Sequence, residues 1–435
     1  MVKVLVVTEE QQPDSMEKEC WGEAMSDILI YTSPCVISSE HEIIRDGAVV
    51  VNAERILETG PKDQVIKSWN DSRKIALSGI LMPPLINCHI HLELSHFSDI
   101  SRPDPGHGMV GWIEEVMQKR QSSSLSQQDL SAAYDDTLRQ QKESGVVLLA
   151  DIANNIEQPL PPSSIVPEVY RIFEMIAPTQ SRTAEAIKHL QALPPTQPVS
   201  PHSPYSTTKD LICALKKRAM KNDQLFSIHL AESKAEIELL KTGTGDFRKF
   251  LESRGAWDGA LTGGEDFTGA VQYLESLSVL DDKTLCVHCI HLGDEEIALL
   301  AEKKAKVCLC PGSNDFLGVG QPPLEKMLQA GILPGIGTDS AASNKSLDIW
   351  REMKILRAQN PKVPAAKIFA MATQGGARSL QREGDFGTLE KGKKSLFLEI
   401  DQTRIDELSN TEIVDLLTSG GRPEKVTWIS PAGES

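Results

Sequence analysis

The segment Pro84-Leu-Ile-Asn-Cys-His-Ile-His91 ends a short apolar run with two histidines that are separated by one residue. Side chains two residues apart on a strand point to the same face, so both imidazoles can reach one ion. A doubly wound open sheet usually carries a glycine-rich phosphate loop after its first strand, and this chain has the histidine pair there instead. The segment therefore argues against an open sheet and indicates a metal-binding strand end.

Apolar runs of strand length recur downstream of this segment. They are Val146–Ala150, Val169–Phe173, Pro198–His202, Leu225–His229, Thr284–His288, Lys306–Cys310 and Ile332–Ile336. Amphipathic helical stretches lie between several of them, for example at residues 129–144, 234–240 and 294–304. Eight β units that alternate with helices over roughly 300 residues are the pattern of a (β/α)8 TIM barrel. We therefore predict an α/β fold with this barrel at residues 84–383.

Both ends of the chain are rich in short β segments separated by polar turns. The segments are residues 27–31, 47–51 and 55–59 near the start, and residues 395–400 and 425–429 near the end. We predict that residues 26–83 and 384–435 together form a small β-sandwich domain. Residues 1–25 are interpreted as an N-terminal extension; the alternative is a start at Met25, where the β pattern begins.

The composition restricts the partners and the location. The 435 residues include 45 Lys and Arg against 61 Asp and Glu, a formal net charge of −16. This charge repels nucleic acid and anionic membrane surfaces, so neither is an expected partner. The sequence has no run of about 20 apolar residues, which a membrane-spanning helix needs. Eight cysteines are too few for a disulfide scaffold in a chain of this length, so we expect reduced thiols and a cytoplasmic protein.

Polar residues suited to metal binding end or follow four of the predicted strands. His89 and His91 end the first, His229 the fifth and His288 the sixth, and Asp339 follows the eighth. Barrel enzymes place their catalytic groups at this end of the strands. A single histidine at a strand end is more often a packing residue. The complete set, however, predicts a site for Zn²⁺, with Fe²⁺ as the alternative.

The chain resembles the amidohydrolase superfamily, in the branch of aminohydrolases that act on purines, pyrimidines and triazines. The resemblance runs from Ser26 to the C-terminus. The motifs that carry it are the Pro84–His91 segment, Ser200-Pro-His-Ser-Pro-Tyr205, His229-Leu-Ala-Glu232, Val287-His288-Cys289, Gly337-Thr-Asp-Ser340 and Gly387-Thr-Leu-Glu-Lys-Gly392. It implies a metal-dependent deaminase that hydrolyses a carbon–nitrogen bond of a small molecule, and a homodimer as in many relatives.

The resemblance also assigns roles to individual residues. It implies that one divalent ion is held by four side chains: His89, His91, His229 and Asp339. It further implies that Glu232 and His288 move protons around the attacking water, and that Asp339 passes a proton to the departing ammonia. Relatives with two ions bridge them by a modified lysine at the end of the fourth strand. This chain has Ser200-Pro-His-Ser-Pro204 there, which implies a single ion.

Four further residues are candidates for substrate contacts: His202, Glu93, Trp112 and Arg171. His202 either caps a proline-rich turn or points into the pocket, and the resemblance favours the pocket. Glu93 either contacts the substrate or orients His91, and we favour the second role. Trp112 lies where relatives have a pocket-side aromatic residue, although a tryptophan opening an amphipathic helix is more often core. Arg171 either meets a carboxylate or ribose group or forms a structural ion pair.

Several segments resemble one group within this branch more specifically, the aminodeoxyfutalosine deaminases. These enzymes remove ammonia from an adenine nucleoside in the futalosine route to menaquinone. The segments are His91–Ser95, Ala150–Asn154, Cys310–Asn314, Gly318–Pro323 and Ser340–Asn344. Close relatives deaminate adenosine, methylthioadenosine or S-adenosylhomocysteine. The predicted substrate is therefore a 6-aminopurine nucleoside. That group has an arginine at the position of Gly312, which leaves the exact nucleoside open.

Two alternatives stay open at this point. The first keeps the fold but hydrolyses a cyclic amide or a halogenated triazine, and neither reaction releases ammonia from its typical substrate. The second is a metal-binding protein without catalytic activity. All six metal-binding and catalytic positions are intact, which argues against the second: His89, His91, His229, Glu232, His288 and Asp339.

Overall fold

The computed structural model describes residues 28–97, 99–103, 108–122, 124–155, 160, 166–261 and 267–431. The predicted N-terminal extension, residues 1–25, lies outside these ranges. The strands are β1 (Leu29–Ser39), β2 (Glu42–Val51), β3 (Ile56–Pro61), β4 (Arg73–Ala76), β5 (Ile80–Met82), β6 (Leu85–Ile90), β7 (Val146–Ala153), β8 (Glu168–Met175), β9 (Val199–Pro201), β10 (Phe226–Leu230), β11 (Thr284–His288), β12 (Lys306–Leu309), β13 (Gly335–Ile336), β14 (Phe397–Ile400) and β15 (Val426–Ile429).

The α-helices lie mostly between the strands of the central region. They are α1 (Lys62–Ser68), α2 (Gly108–Ser122), α3 (Gln127–Glu143), α4 (Gln180–Ala192), α5 (Lys209–Lys221), α6 (Lys234–Thr242), α7 (Asp246–Ser253), α8 (Ala270–Ser276), α9 (Asp294–Glu302), α10 (Pro311–Leu317), α11 (Leu324–Gln329), α12 (Ile349–Gln359), α13 (Ala365–Ala370), α14 (Gly376–Ser379) and α15 (Asn410–Ser419). Within the described ranges, no helix has the length and apolar character needed to cross a membrane.

Strands from both ends of the chain form one seven-stranded sheet. Its order is β15-β14-β5-β1-β2-β3, and β4 pairs with β1 outside this path. β1 and β2 form a long antiparallel ladder from Leu29↔Val51 to Ser39↔Glu42. β14 is antiparallel to β5 through Leu398↔Met82. The β segments near the two termini are therefore joined by backbone hydrogen bonds, although most of the chain lies between them.

The apolar runs of the central region become β6 to β13. These strands form two four-stranded parallel sheets in chain order, β6-β7-β8-β9 and β10-β11-β12-β13. Every residue of β6 and β7 is buried, as expected for parallel strands that are covered on both faces. The last predicted run, Ile332–Ile336, is a strand only at Gly335–Ile336, because Pro334 has no N–H group to donate to a neighbour.

Backbone hydrogen bonds connect the two parallel sheets at the carboxyl ends of their strands. The N–H of His229 on β10 donates to the carbonyl of His202, which follows β9, at 2.9 Å. The N–H groups of Thr338 and Asp339, which follow β13, donate to the carbonyl of His89 on β6, each at 3.0 Å. The strand ends that carry the predicted site residues therefore lie next to one another.

Helix α12 shows how the outer helices are fixed against the sheets. Trp350 on this helix is fully buried, and its Nε1 donates to the carbonyl of Ser144 at 2.8 Å. Ser144 directly follows α3 and precedes β7. One side chain thus ties α12 to the turn that leads into the second central strand.

Candidate active site

Three imidazoles and one carboxylate converge at the carboxyl ends of β6, β10 and β13. Nε2 of His89 lies 3.1 Å from Nε2 of His91 and 3.1 Å from Nε2 of His229. Oδ1 of Asp339 lies 3.6 Å from Nε2 of His89 and 3.5 Å from Nε2 of His91. All four side chains are buried, and their potential ligand atoms lie within 4.8 Å of one another. This geometry brings the four predicted metal ligands together.

The histidines of this cluster are held in the neutral form, which is the form that binds metals. Burial lowers the pKa of His89, lowers that of His91 to about 3 and places that of His229 well below its usual range. Nδ1 of His229 lies 2.8 Å from the carbonyl of His202, so Nδ1 carries the proton and Nε2 presents its lone pair. Converging lone pairs repel one another unless a cation lies between them. The donor set therefore fits a divalent ion.

Asp339 is held in place by two hydroxyl groups. Its Oδ2 accepts hydrogen bonds from Ser313 Oγ at 2.6 Å and from Ser343 Oγ at 2.8 Å, which directs Oδ1 towards the histidines. Burial opposes ionisation, but the interactions with His89, His91 and His288 together outweigh it and hold the pKa of Asp339 well below its usual range. The backbone of Asp339 is left-handed, with φ 60°. Such strained conformations cluster at functional sites.

Glu232 and His288 form the second part of the site. Oε1 of Glu232 lies 3.4 Å from Nε2 of His288, and both side chains are buried. Nδ1 of His288 lies 2.9 Å from Asn314 Oδ1, which accepts the Nδ1 proton and leaves Nε2 as an acceptor. That Nε2 atom has no hydrogen-bond partner among the described residues. Burial and, secondly, the charge of Asp339 raise the pKa of Glu232 well above its usual range, so its carboxyl holds a proton readily.

The backbone turns sharply after β10 and β11 to present these two side chains. Ala231 and His288 adopt left-handed conformations, with φ 52° and φ 72°, which persist only where surrounding contacts fix them. Glu236 of α6 supplies such contacts, because its carboxylate accepts the N–H groups of Ala231 and Glu232 at 2.8 Å and 2.9 Å. Helix α6 therefore sets the backbone position of Glu232.

A cavity of about 500 Å³ opens onto the cluster. His91, His229, Glu232 and Asp339 contribute to its wall. Apolar side chains from α2 and α7 form much of the remainder: Met109, Trp112, Ile113, Val116, Met117, Phe247 and Phe250. The volume lies within the range of roughly 300–1,000 Å³ that is usual for small-molecule sites. The cluster therefore faces a space of the size that a small organic substrate needs.

Two of the four candidate substrate contacts, His202 and Trp112, line this cavity. Nδ1 of His202 lies 2.7 Å from Ser206 Oγ and 3.0 Å from Ser203 Oγ, so Nε2 is the ring nitrogen left for other contacts. Nε1 of Trp112 donates to the carbonyl of Ala342 at 3.0 Å, and the side chain packs in a small apolar cluster. Trp112 thus belongs to an apolar cluster and also lines the cavity, and its contact with a substrate stays a prediction.

Glu93, the third candidate, does not line that cavity. Its Oε1 accepts a hydrogen bond from Arg120 at 2.6 Å, and its Oε2 accepts the N–H groups of Asn154 and Asn155 at 3.0 Å and 2.9 Å. The carboxylate is therefore used to hold the loop after β7. Oε2 thus bonds to this loop and Oε1 bonds to Arg120 on α2, which differs from the expectation that Glu93 orients His91.

Arg171, the fourth candidate, is buried in a separate polar group. Its Nε donates to Asp151 Oδ2 at 2.8 Å, and its Nη2 donates to the hydroxyl of Tyr134 at 2.6 Å. Asp151 Oδ1 in turn accepts the N–H of Leu92 at 3.1 Å. The geometry is that of a structural ion pair, and it does not bring Arg171 to the metal cluster.

Gly312, where the resembling group has an arginine, lies in a crowded environment. A Cβ atom built on this residue would lie 2.3 Å from Glu352 Oε1 and 2.6 Å from Asn344 Nδ2. Both contacts are too short for a Cβ atom unless the two neighbouring side chains move. Any side chain at position 312 would therefore displace Glu352 and Asn344.

Sequence reasoning missed four residues that contact the site: Ser313, Asn314, Ser343 and Glu174. The first three lie in segments that the resemblance marks, but nothing in their spacing indicated a bond to Asp339 or His288. Glu174 lies on β8, where Oε2 accepts from Asn154 Nδ2 at 2.9 Å and Oε1 lies 3.5 Å from His229 Nδ1. It lines the cavity, and burial raises its pKa to about 8. The sequence feature that could have identified Glu174 as a site residue is its position directly after a predicted strand.

Buried histidines and carboxylates that meet at the carboxyl ends of parallel strands beside a cavity are the arrangement of an enzyme active site. Sequence comparison identifies the family. The profile of the amidohydrolase family matches residues 80–426, and the chain belongs to that family. It is therefore a hydrolase, and it acts on carbon–nitrogen bonds other than peptide bonds.

Individual relatives agree with this assignment. A 5-methylthioadenosine/S-adenosylhomocysteine deaminase of Moorella thermoacetica is 28% identical over 410 residues, covering 90% of each chain. The structure of Helicobacter pylori aminofutalosine deaminase with methylthio-coformycin covers 92% of this chain and 98% of its own, with a TM-score of 0.77 and 21% identity. An adenosine deaminase of Xanthomonas campestris with bound zinc covers 93% and 91%, with a TM-score of 0.69 and 19% identity. At these identities the two structures establish a shared fold.

Proposed function

We propose that this enzyme hydrolytically removes the 6-amino group of a purine nucleoside and releases ammonia. The observation that carries the proposal is the convergence of His89, His91, His229 and Asp339 beside the pair Glu232 and His288. Four of these residues, His91, His229, Glu232 and Asp339, line one cavity. The first group suits a metal ion, and the second suits proton transfer. Hydrolytic deamination needs both.

The proposed cofactor is one divalent ion, with Zn²⁺ preferred and Fe²⁺ as the alternative, because imidazole and carboxylate ligands suit both. When bound, such an ion supplies a water molecule whose pKa is lowered to about 7. The four side chains of the cluster would hold it. At the end of β9 this chain has Ser200 and His202 and no lysine that could bridge a second ion.

The proposed proton transfers follow from the geometry of Glu232 and His288. The carboxylate form of Glu232 takes a proton from the attacking water and delivers it to a ring nitrogen of the purine, and the raised pKa makes this carboxylate a stronger base. His288 accepts a hydrogen bond from the water through Nε2, because Asn314 engages its Nδ1. Asp339 then takes the second proton of the water from the hydroxyl group now bonded to C6 and passes it to the amino group, which leaves as ammonia as the carbonyl forms. Each group touches the water or the reacting atoms, so these three are the proposed catalytic residues.

The proposed substrates are adenosine, methylthioadenosine, S-adenosylhomocysteine and aminodeoxyfutalosine, the last of which would place the enzyme in menaquinone synthesis. The name of the Moorella thermoacetica relative supports an adenine nucleoside with a 5′ substituent. The cavity supports this class because its apolar wall from α2 suits a flat ring. His202, which lines the same cavity, is the proposed contact for a polar group of the substrate. Trp112 is a second proposed contact.

An ammonia-release assay over these four nucleosides, guanine and cytosine tests the proposal, with metal analysis of the same sample. We expect one ammonia per nucleoside converted and one equivalent of metal. Hydrolysis of a cyclic amide or a chlorotriazine without ammonia would instead establish the first alternative. A sample that contains one equivalent of metal and is inert towards every compound would establish the second alternative, a non-catalytic metal-binding protein.

We also propose that the two parallel sheets form one closed (β/α)8 barrel at residues 84–383. The bonds from His229 to His202 and from Thr338 and Asp339 to His89 support closure, because they join the first strand of each sheet to the last of the other. A parallel bridge between Ile90 and Asp339 lies at the same junction. These contacts are the ones that a closed barrel requires.

We further propose that residues 26–83 and 384–435 form a β-sandwich domain. The ring of Tyr31 lies 5.3 Å from that of Phe397 in an edge-to-face contact. Strand β14 pairs with β5, and β5 pairs with the C-terminal half of β1. Tyr31, however, lies in the N-terminal half of β1, so in a flat sheet it would not lie beside Phe397. This contact supports a sheet that folds over on itself into two layers.

The location and assembly state stay predictions. The seven cysteines in the described part of the chain are all unpaired, which supports the reduced environment of the cytoplasm. The net charge of −16 supports a small-molecule substrate as the partner, in place of nucleic acid or a membrane. A homodimer is proposed on the family resemblance alone.

A further inference from the structure

Glu352 on α12 is a fully buried carboxylate that does not line the cavity. Its Oε2 accepts the N–H of Gly312 at 2.6 Å. Its Oε1 accepts a hydrogen bond from Asn344 Nδ2 at 2.9 Å. Oε1 also accepts from Arg351 Nη1 at 3.4 Å. A buried charge is costly unless it is bonded, so these donors, two of which come from different loops, fix this carboxylate strongly. Glu352 therefore links the segment after β12 to the segment after β13.

Each of these two segments carries partners of the site residues. Gly312 is followed by Ser313, which donates to Asp339 Oδ2, and by Asn314, which accepts from His288. On the other side, Asn344 follows Ser343, whose hydroxyl donates to the same Oδ2 atom. Three hydrogen bonds orient Asp339 and His288. In each of them, the partner residue lies one or two positions from Gly312 or Asn344, the two residues that Glu352 bonds.

The side chains of Glu352 and Asn344 pack directly against Gly312. A Cβ atom on Gly312 would lie 2.3 Å from Glu352 Oε1, so the carboxylate occupies the position of a side chain. Asn344 Nδ2 also donates to the carbonyl of Thr338 at 2.8 Å, next to Asp339. Arg351 donates to Asn344 Oδ1 at 2.6 Å and completes the network. Asn344 is therefore bonded on both sides of its amide, and its position depends on Glu352.

We propose that Glu352 is a positioning residue for the active site, which acts through Gly312 and Asn344 on the hydrogen bonds of Asp339 and His288. This inference rests on the proposed function for its effect on turnover. Its effect on metal affinity is independent of the substrate, because Asp339 is one of the four proposed ligands. Outer-sphere partners of metal ligands typically contribute about 10- to 100-fold in metal affinity or activity.

The chain offers a matched control for this residue. Glu296 on α9 is another buried carboxylate that accepts backbone N–H groups, those of Val271 at 2.9 Å and Gly293 at 3.0 Å. It also crowds a glycine, because a Cβ atom on Gly269 would lie 2.1 Å from its Oε1. Glu296 is not among the residues that line the cavity. It therefore reproduces the structural role of Glu352 without the link to the site.

The experiment compares E352A and E352Q with E296A and E296Q. For each variant, the zinc dissociation constant is measured by competition with a chelator, and kcat and KM are measured on the nucleoside that the wild type converts best. We expect E352A to weaken zinc binding and to lower kcat by about tenfold or more, with little change in KM. E352Q keeps one acceptor oxygen, so its zinc affinity and its kcat should lie between those of E352A and those of the wild type. The Glu296 variants should lower thermal stability only.

Equal effects of E352A and E296A on zinc affinity and kcat would overturn the proposal, because the role of Glu352 would then be structural only. If E352A fails to fold, G312A and G269A repeat the comparison, since each new Cβ displaces one of the two carboxylates. G312A should weaken zinc binding and G269A should not; the same affinity in both would again overturn the proposal. If the wild type deaminates no nucleoside, the proposed function fails, whereas the zinc measurements still decide on Glu352.

Discussion

At the scale of single residues, the site depends on which nitrogen and oxygen atoms are already engaged elsewhere. His229 donates from Nδ1 to a carbonyl, and His288 donates from Nδ1 to Asn314, so both present Nε2 to the site. The two hydroxyl bonds to Asp339 engage Oδ2 and leave Oδ1 for the histidines. The ring and carboxylate orientations are therefore set by neighbours that never touch the proposed ion.

Replacing Glu232 with glutamine tests the proton transfer. Glutamine keeps the shape of the side chain but cannot take a proton from water, so we expect kcat to fall by about 10²- to 10⁴-fold. Metal content, measured by elemental analysis, should stay at the wild-type value because Glu232 is not a proposed ligand. The exposed Glu295→Gln on α9 serves as the control and should keep full turnover. An E232Q variant with the wild-type rate would contradict the proposed role of Glu232.

Sequence patterns predicted the site residues best where a side chain able to bind a metal or move a proton stands at the end of a predicted strand. His89, His91, His229, His288 and Asp339 all lie at or just after the ends of apolar runs, and the structure brings them together. Arg171 and Glu93 also lie in or near such runs, yet both are engaged in ion pairs with partners that are distant in the sequence, Asp151 and Arg120. A sequence pattern does not show which distant residue forms an ion pair with a charged side chain in the folded protein. The same limit concealed Glu352, which lies on an outer helix.

At the scale of elements, the strands were predicted by continuous apolar runs, and their lengths were set by tertiary contacts. β6 and β10 to β12 begin and end close to the predicted residues. β1 is longer than the predicted run because its second half pairs with Arg45, Ile44 and Ile43 of β2 and continues past Pro34. Such pairing is a long-range contact, which local residue preference does not encode.

Helix α12 is expected to depend on Trp350 for its packing. Trp350→Ala removes a fully buried ring and leaves the Ser144 carbonyl without its Nε1 donor, so the free energy of unfolding should fall by about 3–5 kcal/mol. Urea denaturation of both proteins measures this difference. Leu416→Ala on α15, where the side chain is 38% exposed, is the control and should change stability by about 0.5 kcal/mol or less. Equal losses in the two variants would contradict the packing described for α12.

The same helix should contribute a pH dependence through Glu352. Burial raises the pKa of its carboxyl from 4.5 to about 7. Between these values the folded chain holds a proton that the unfolded chain releases. The stabilising contribution is therefore complete below about pH 4.5 and is lost as the pH rises through about 7, by at most about 1.4 kcal/mol per pH unit.

Urea denaturation of wild type and E352Q at about pH 5 and about pH 8 measures this contribution. The stability of the wild type should decrease more than that of E352Q between the two pH values, because glutamine does not titrate. Parallel changes in the two proteins would contradict the assigned pKa of Glu352.

At the scale of the whole molecule, the two parallel sheets and the terminal sheet meet around β5 and β6, which are separated by only Pro83 and Pro84. Strand β6, which carries His89, therefore follows directly from the strand that pairs with β14. The sequence predicted that both termini share one β unit, since their β character was similar. It did not predict the order of strands, because β5 is only three residues long and lacks a pattern of its own.

Zinc should stabilise the whole molecule, because its proposed ligands come from both parallel sheets. A ligand that binds only the folded state at 100 times its dissociation constant stabilises by about 2.7 kcal/mol. The melting temperature of metal-free protein should therefore rise when zinc is added. His229→Ala removes one ligand and should reduce that rise strongly. The same increase in both proteins would show that zinc binds at another place.

The central claim is that the histidine–aspartate cluster and Glu232 together deaminate a 6-aminopurine nucleoside. The most direct measurement follows ammonia release from the nucleoside panel by one preparation in three states: as purified, after chelation and after reconstitution with one equivalent of zinc. We predict stoichiometric ammonia from at least one nucleoside, loss of this activity after chelation and its return with zinc. Ammonia release that persists in protein shown to be metal-free, or none from any nucleoside by the reconstituted protein, would contradict the claim.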